Sequence, residues 1–244
     1  MTIASTRPAA VLFDIDGTLL VRSSPHLAVI AATLSDRVGR RVRVELRGER
    51  VYLDDTEISG WVDSQIVRQV LPHVLGRAVT DDEVVEVIGE YEARFDAALR
   101  PEDAGVPVPG IEGCLQRLHA AGVHLGLVTG NAAGIARRKL AQVGLDRFFG
   151  YDPDLGFGSW RADRLACVQA AVTGVRATHG ADAVVLTAGD TTADMRAAAA
   201  AGALGIGVLT GAATEDRLLE AGAWRVLPSA AGIADLVEGS AARS

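Results

Sequence analysis

From residue 105 onward, short apolar runs alternate with longer stretches of helical periodicity, and this alternation constrains the fold more than any other feature. Leu125–Val128, Val184–Leu186 and Leu204–Leu209 have the length and apolar character of buried strands. Helical patterns run over Gly110–Gly122, Ala132–Val143, Arg161–Thr178 and Thr191–Ala201, and Gly144 and Gly202 provide stop signals. In the first helix Ile111, Leu115, Leu118 and Ala121 share a face. Thr214–Ala221 and Ser229–Val237 predict helices around a short strand at Arg225–Leu227, and Phe148–Tyr151 predicts one more short strand. Strands alternating with helices predict a parallel sheet covered on both faces.

Residues 23–104 break the rhythm. Pro25–Val38, Ser64–Leu75 and Asp81–Leu99 have helical periodicity, and Thr80 with Glu83 predicts a capping box for the last of these. Val42–Leu53 is polar, arginine-rich and partly alternating, which suits a hairpin or a loop. Pro101, Gly105, Pro107 and Pro109 mark the return to the alternating pattern. The expected organisation is an α/β core of residues 1–22 and 105–244, with a mostly helical segment of residues 23–104 inserted after the first strand.

Composition narrows the function classes. Hydrophobic residues make up 49% of the 244, ample for a sizeable core. The formal charge is -7 with both signs mixed and no basic stripe, which argues against nucleic acid as the main partner. No apolar run is long enough to span a bilayer and no cleavable signal pattern stands at the N-terminus, so a soluble cytoplasmic protein is expected. Cys114 and Cys167 both lie in apolar helical patterns and read as small buried hydrophobes. Lys139 is the only lysine. It lies roughly 15 Å along a helix leading away from the strand end at Thr129, and reads as structural or solvated.

The chemistry concentrates at strand ends. Ala10–Phe13 is an apolar run that delivers Asp14 and Asp16 into a Gly17-Thr18 turn. Carboxylates spaced i, i+2 can converge, one to attack an electrophile and the other to move protons or help hold a cation. Alone, the motif also fits an acidic turn. The strand at Leu125–Val128 ends in Thr129-Gly130-Asn131, and that at Val184–Leu186 runs on to Gly189-Asp190, with Asp194 one helical turn later. Alone, Thr129 is an ordinary β-branched strand residue, and Asp194 an acid favoured at a helix N-terminus. Between the last two strands, Phe157-Gly158-Ser159-Trp160-Arg161-Ala162-Asp163-Arg164 supplies cations ahead of a helix.

In their order these four segments resemble the motifs of the haloacid dehalogenase-like hydrolase superfamily, over nearly the whole chain outside residues 23–104. The resemblance implies a Rossmann-like three-layer core and makes the insert a helical cap that carries specificity. It makes Asp14 the nucleophile of an aspartyl-phosphate mechanism and Asp16 the general acid and base. It implies Mg²⁺ held by Asp14, the Asp16 backbone carbonyl and Asp190, with Asp194 in support. Thr129 would donate to a phosphoryl oxygen, and backbone N–H groups of Gly130 and Asn131 would add an anion nest. The third motif departs from the commoner form with Lys followed by Pro-x-Pro. Phe157-Gly158-Ser159 and Asp163-Arg164 match the layout of phosphoglycolate-phosphatase-like members, which favours Arg164 over Arg161 as the cation.

The implied activity is a Mg²⁺-dependent phosphatase acting on a small phosphorylated metabolite, phosphoglycolate by resemblance only. The rivals are a phosphosugar mutase of the same superfamily and a catalytically silent binding or regulatory protein on the same fold. A dehalogenase is opposed by Asp16. Other site types lack support. The five histidines show no paired metal-ligand spacing, and there is no G-x-S-x-G elbow and no P-loop.

Overall fold

The computed structural model describes residues 7–22, 26–48, 50–100, 105–152 and 154–241. The expectations placed on Pro25 and Pro101 lie outside these residues.

Strand β1 (Ala10–Phe13) is buried along its whole length, as its unbroken apolar sequence requires. After the turn at Gly17, β2 (Leu20–Arg22) leads into α1 (His26–Val38). Then follow β3 (Val44–Arg47), β4 (Arg50–Leu53) and β5 (Thr56–Glu57), a three-stranded antiparallel sheet. The arginine-rich stretch is therefore a hairpin, the first of the two readings its sequence allows. Helices α2 (Asp63–Leu75) and α3 (Asp81–Ala98) come next. Thr80 caps α3 by accepting from the Glu83 N–H, and Glu83 reaches back to the Thr80 N–H, completing the capping box.

Strand β6 (Val106–Pro107) returns the chain antiparallel to β2, a pairing too short to read from sequence. Thereafter come α4 (Ile111–Ala120), β7 (His124–Leu127), α5 (Ala133–Ala141), α6 (Arg164–His179), β8 (Val185–Gly189), α7 (Thr192–Ala200), β9 (Leu204–Val208), α8 (Glu215–Glu220), β10 (Arg225–Leu227) and α9 (Ile233–Ala241), in the predicted order except that no strand among the described residues separates α5 from α6, and α6 starts three residues after Arg161.

The main sheet is parallel, with order β10-β9-β8-β1-β7. Alternation along β1 serves both faces. Val11 and Phe13 join a cluster with Leu115 and Leu118 of α4, Leu140 of α5 and Ile233 of α9. Ala10 and Leu12 join the opposite cluster with Val168 and Val172 of α6 and Ala197 of α7. Full burial of each larger aliphatic or aromatic side chain contributes about 1.5–3 kcal/mol, so both helical layers are held by the sheet. Cys114 and Cys167 are buried and unpaired. Among the described residues, no helix is long and apolar enough to cross a membrane.

The elements between β2 and β6 have a hydrophobic cluster of their own, built from Ile30 and Leu34 of α1, Leu53 of β4, Val67 and Val70 of α2, and Ile88, Tyr91 and Phe95 of α3. Ala132 and Ile135, at and within the start of α5, reach into this cluster and tie it to the main sheet.

One expected strand does not form. Asp146–Phe148 is a short 3₁₀ turn, and Phe149–Tyr151 is irregular. Phe149 is buried and Phe148 and Tyr151 partly so, but each packs singly. Phe149 meets Phe13 edge-on at 6.2 Å, and Tyr151 stacks on Phe157 at 6.0 Å.

Candidate active site

Parallel neighbours end at the same edge, so β7, β1 and β8 deliver their following residues to one place. Asp14 continues the ladder by donating its N–H to the Ala188 carbonyl at 2.9 Å. Asp14, Thr129 and Asp190 are all buried at this edge and line a cavity of about 180 Å³. One carboxylate oxygen from each of Asp14, Asp190 and Asp194 lies within 4.8 Å of the others. Gly17, at φ +79°, presses its backbone against the Asp190 carboxylate, and a Cβ there would collide with it.

Asp194 caps α7 and also faces Arg164. Its Oδ2 accepts from the Thr191 N–H at 3.0 Å and from the Thr191 hydroxyl at 2.6 Å, capping α7, while Oδ1 lies 3.3 Å from Arg164 Nε.

Arg164 opens α6, one residue later than Asp163, whose carboxylate accepts from the Ala166 N–H and sets the helix start. Its Nη1 reaches Asp14 Oδ1 at 3.3 Å. Arg161 turns away and donates to the Asp154 carbonyl. Of the two candidate arginines, only Arg164 is brought to the aspartates. The preceding loop lies hard against β7's exit: Gly158 donates to the Asn131 carbonyl at 2.9 Å, and a Cβ on Gly158 would strike the Gly130 carbonyl.

Charge crowding shifts the carboxyls. Burial first, then the neighbouring acids against the pull of Arg164, pushes Asp14 up to about 6. Burial, with Asp194 and Asp14 beside it, pushes Asp190 up to about 8. Asp16 goes the other way. Burial works against its charge, yet Lys139, His26 and Asn131 hold it well below the usual carboxylate range.

Lys139 corrects the sequence reading. It is fully buried, and its Nζ donates to Asp16 Oδ2 at 2.6 Å and to Asn131 Oδ1 at 2.9 Å, and lies 3.1 Å from His26 Nδ1. The rise along α5 alone understates the reach of this residue, because its long side chain leans toward the helix N-terminus and spans the gap. A signal was present: Ala132, Ile135, Ala136 and Lys139 follow i, i+3, i+4, i+7, so Lys139 belongs to the buried stripe. Removing one partner of a buried pair costs about 3–5 kcal/mol. Lys139→Met is therefore expected to lower the unfolding free energy by about that much and to slow turnover, as checked by urea titration and kinetics. A loss under about 1 kcal/mol would refute this account of the pair.

Asn131 also differs from expectation. Its N–H is directed at Thr129 Oγ1 at 3.3 Å, and its side chain bridges Thr129 Oγ1 and Asp16 Oδ2 at 2.9 Å each. The next amides are met by protein acceptors: Ala132 by Asp63 Oδ2, Ala133 by Ser159 Oγ and Gly134 by Glu92 Oε1. Asp63 and His26, from α2 and α1, line the cavity, and neither was found from sequence because nothing local links them to the strand ends. Burial pushes Asp63 up to about 7. Its backbone N–H donates to the Gly130 carbonyl at 2.8 Å and that of Ser64 to the Gly158 carbonyl at 2.9 Å, so the start of α2 is stitched to both site loops.

Comparison with known proteins follows the same lines. The profile of the haloacid dehalogenase-like hydrolase family matches residues 8–202. "Probable phosphatase IndB" of Dickeya dadantii is 28% identical over 212 residues, spanning 85% of this chain and 84% of that protein. A phosphoglycolate phosphatase of Xanthomonas campestris pv. campestris is 32% identical over 143 residues, 56% of this chain and 55% of the relative. The crystal structure of a predicted phosphoglycolate phosphatase from Haemophilus somnus 129pt superposes with a TM-score of 0.60 at 18% identity, covering 95% of this chain and 98% of the other.

Proposed function

Because the chain belongs to the haloacid dehalogenase-like hydrolase family, we propose that it is a Mg²⁺-dependent phosphatase that hydrolyses a small phosphomonoester through an aspartyl-phosphate on Asp14. The observation that carries this reading is the convergence of a buried Asp14 with Asp190 and Arg164 at the edge where β1 and β8 end. The phosphatase names of the two relatives agree with it.

Asp14 Oδ attacks phosphorus, the bond to the leaving oxygen breaks, and Asp16 protonates that oxygen. Asp16 is suited to the transfer. Oδ2 is held by Lys139 and Asn131, whereas Oδ1 is buried without a hydrogen-bond partner among the described residues. The arriving phosphate charge opposes ionisation of Asp16 and favours its taking up a proton. In the second half Asp16 takes a proton from the water that attacks the aspartyl-phosphate. Arg164 and the Thr129 hydroxyl donate to phosphoryl oxygens, and charge-assisted donors of this kind stabilise charge in the transition state.

The donor set fits Mg²⁺: hard carboxylate oxygens of Asp14, Asp190 and Asp194 that lie within 4.8 Å of one another. Asp14, Asp190 and the Asp16 backbone carbonyl would hold it, and it would reduce repulsion between carboxylate and phosphate. Residues 23–104 act in this reading as the cap that excludes water, docked through the start of α2.

The test is phosphate release from a panel of phosphomonoesters with Mg²⁺. Release stopped by EDTA, with a higher Mg²⁺ concentration needed in Asp190→Asn, is the expected result. A mutase would interconvert sugar phosphates with little net release, and a silent binding protein would turn over nothing. Absence of phosphate release by folded, Mg²⁺-loaded protein across the panel would overturn the proposal.

A further inference from the structure

A second and larger cavity, about 560 Å³, opens beside the first. Ser59, Gly60, Asp190 and Thr191 line both, so the two adjoin. Its outer wall carries Arg47 and Arg50 of the β3-β4 hairpin, Arg196 of α7 and Arg217 of α8. Among the described residues the acids in the lining are Glu57 and Asp190, and Asp190 belongs to the catalytic cluster.

This gathering of arginines runs against the character of a chain with formal charge -7. It also runs against hairpin stability, because Arg47 and Arg50 are directly opposed across the strands, where like charges repel. Both are more than two-fifths exposed at the side chain, and their ion pairs, Arg47 to Glu45 at 2.8 Å and Arg50 to Glu57 at 3.0 Å, lie at the surface. Exposed pairs are worth about 0–1 kcal/mol, little enough for an incoming anion to displace. Arg47 is aligned over the Tyr52 ring at 4.4 Å, which limits its freedom, while its Nε and Nη2 donate to the exposed Glu45 carboxylate. A substrate with its phosphoryl group at Asp14 that extends past Ser59 and Gly60 would meet these arginines.

We propose that this cleft binds a second anionic group on the alcohol portion of the substrate, so that the enzyme selects phosphomonoesters carrying a further phosphate or carboxylate. The inference rests on the phosphatase reading and names its substrate class. The geometry points to a specificity device formed by the hairpin together with α7 and α8, apart from the reacting atoms.

The experiment uses substrate pairs that differ by one anion: a hexose 6-phosphate against the 1,6-bisphosphate, and glycerol 3-phosphate against 3-phosphoglycerate. Wild type is expected to favour the doubly anionic member of at least one pair by about tenfold or more in kcat/KM, mostly through KM; the preferred pair tells phosphate from carboxylate. The double variant Arg47→Ala/Arg50→Ala, and separately Arg196→Ala, should lose that preference while hydrolysing p-nitrophenyl phosphate as wild type does. Equal rates within both pairs, or variants that retain the preference, would overturn the proposal. Failure of the phosphatase reading itself shows separately, as no hydrolysis of p-nitrophenyl phosphate. In that case calorimetric titration of the bisphosphate into Mg²⁺-loaded protein still decides: affinity lost in the arginine variants upholds the cleft, and unchanged or absent binding refutes it.

Discussion

Asp14→Asn is expected to lower turnover by about 10⁴-fold or more while leaving a folded protein, the scale seen when a nucleophile is removed. Amide and carboxylate are nearly isosteric, and Asp14's backbone N–H, not its side chain, continues the ladder to Ala188. The exchange also removes a buried negative charge from beside Asp190 and Asp194, so the metal-free variant should melt no lower than wild type at pH 8. Steady-state kinetics with Mg²⁺ and a thermal scan check both parts. Turnover within tenfold of wild type in a folded variant would remove Asp14 from the nucleophile role.

Arg164→Ala is expected to cost about 100-fold or more in kcat/KM, in line with loss of one preorganised donor. Its guanidinium stands 3.3 Å from Asp14 and 3.3 Å from Asp194, and no other described lysine or arginine forms an ion pair with either. Burial works against its charge, but Asp194 and Asp14 hold it more firmly protonated than a free arginine. Arg164→Lys should recover part of the rate by restoring the charge without the planar pair of donors. Arg161→Ala should stay within a few-fold of wild type, because that side chain is spent on the Asp154 carbonyl. A larger loss from Arg161→Ala than from Arg164→Ala would reverse the assignment.

The choice between the two arginines shows how far residue patterns reach. The Asp163-Arg164 layout favoured Arg164, and the physical reason is local: Asp163 caps α6, so the next residue is the first of the helix and stands at the strand ends. Lys139 shows the limit. Its helical stripe was legible, yet its partner Asp16 lies 123 positions earlier in the chain, and no local pattern names a partner at that distance. The same holds for Asp63, whose carboxylate meets the Ala132 amide from 69 positions away.

What the sequence determined by itself is what short-range physics controls. Apolar runs of strand length, helical periods, the Thr80–Glu83 cap and the acidic strand exits depend on neighbours a few positions apart. Parallel pairing then carries Asp14, Thr129 and Asp190 to one edge with no further information, since parallel strands end on the same side. The tertiary structure alone decided which groups meet that edge from elsewhere: Lys139 on Asp16, Asp63 on the start of α5, and the hairpin arginines facing α7 and α8. Those contacts join segments far apart in the chain. They are set by how the helices and hairpin pack, because burial of an apolar face constrains an element's orientation while leaving no trace in the sequence of which distant polar group it will face.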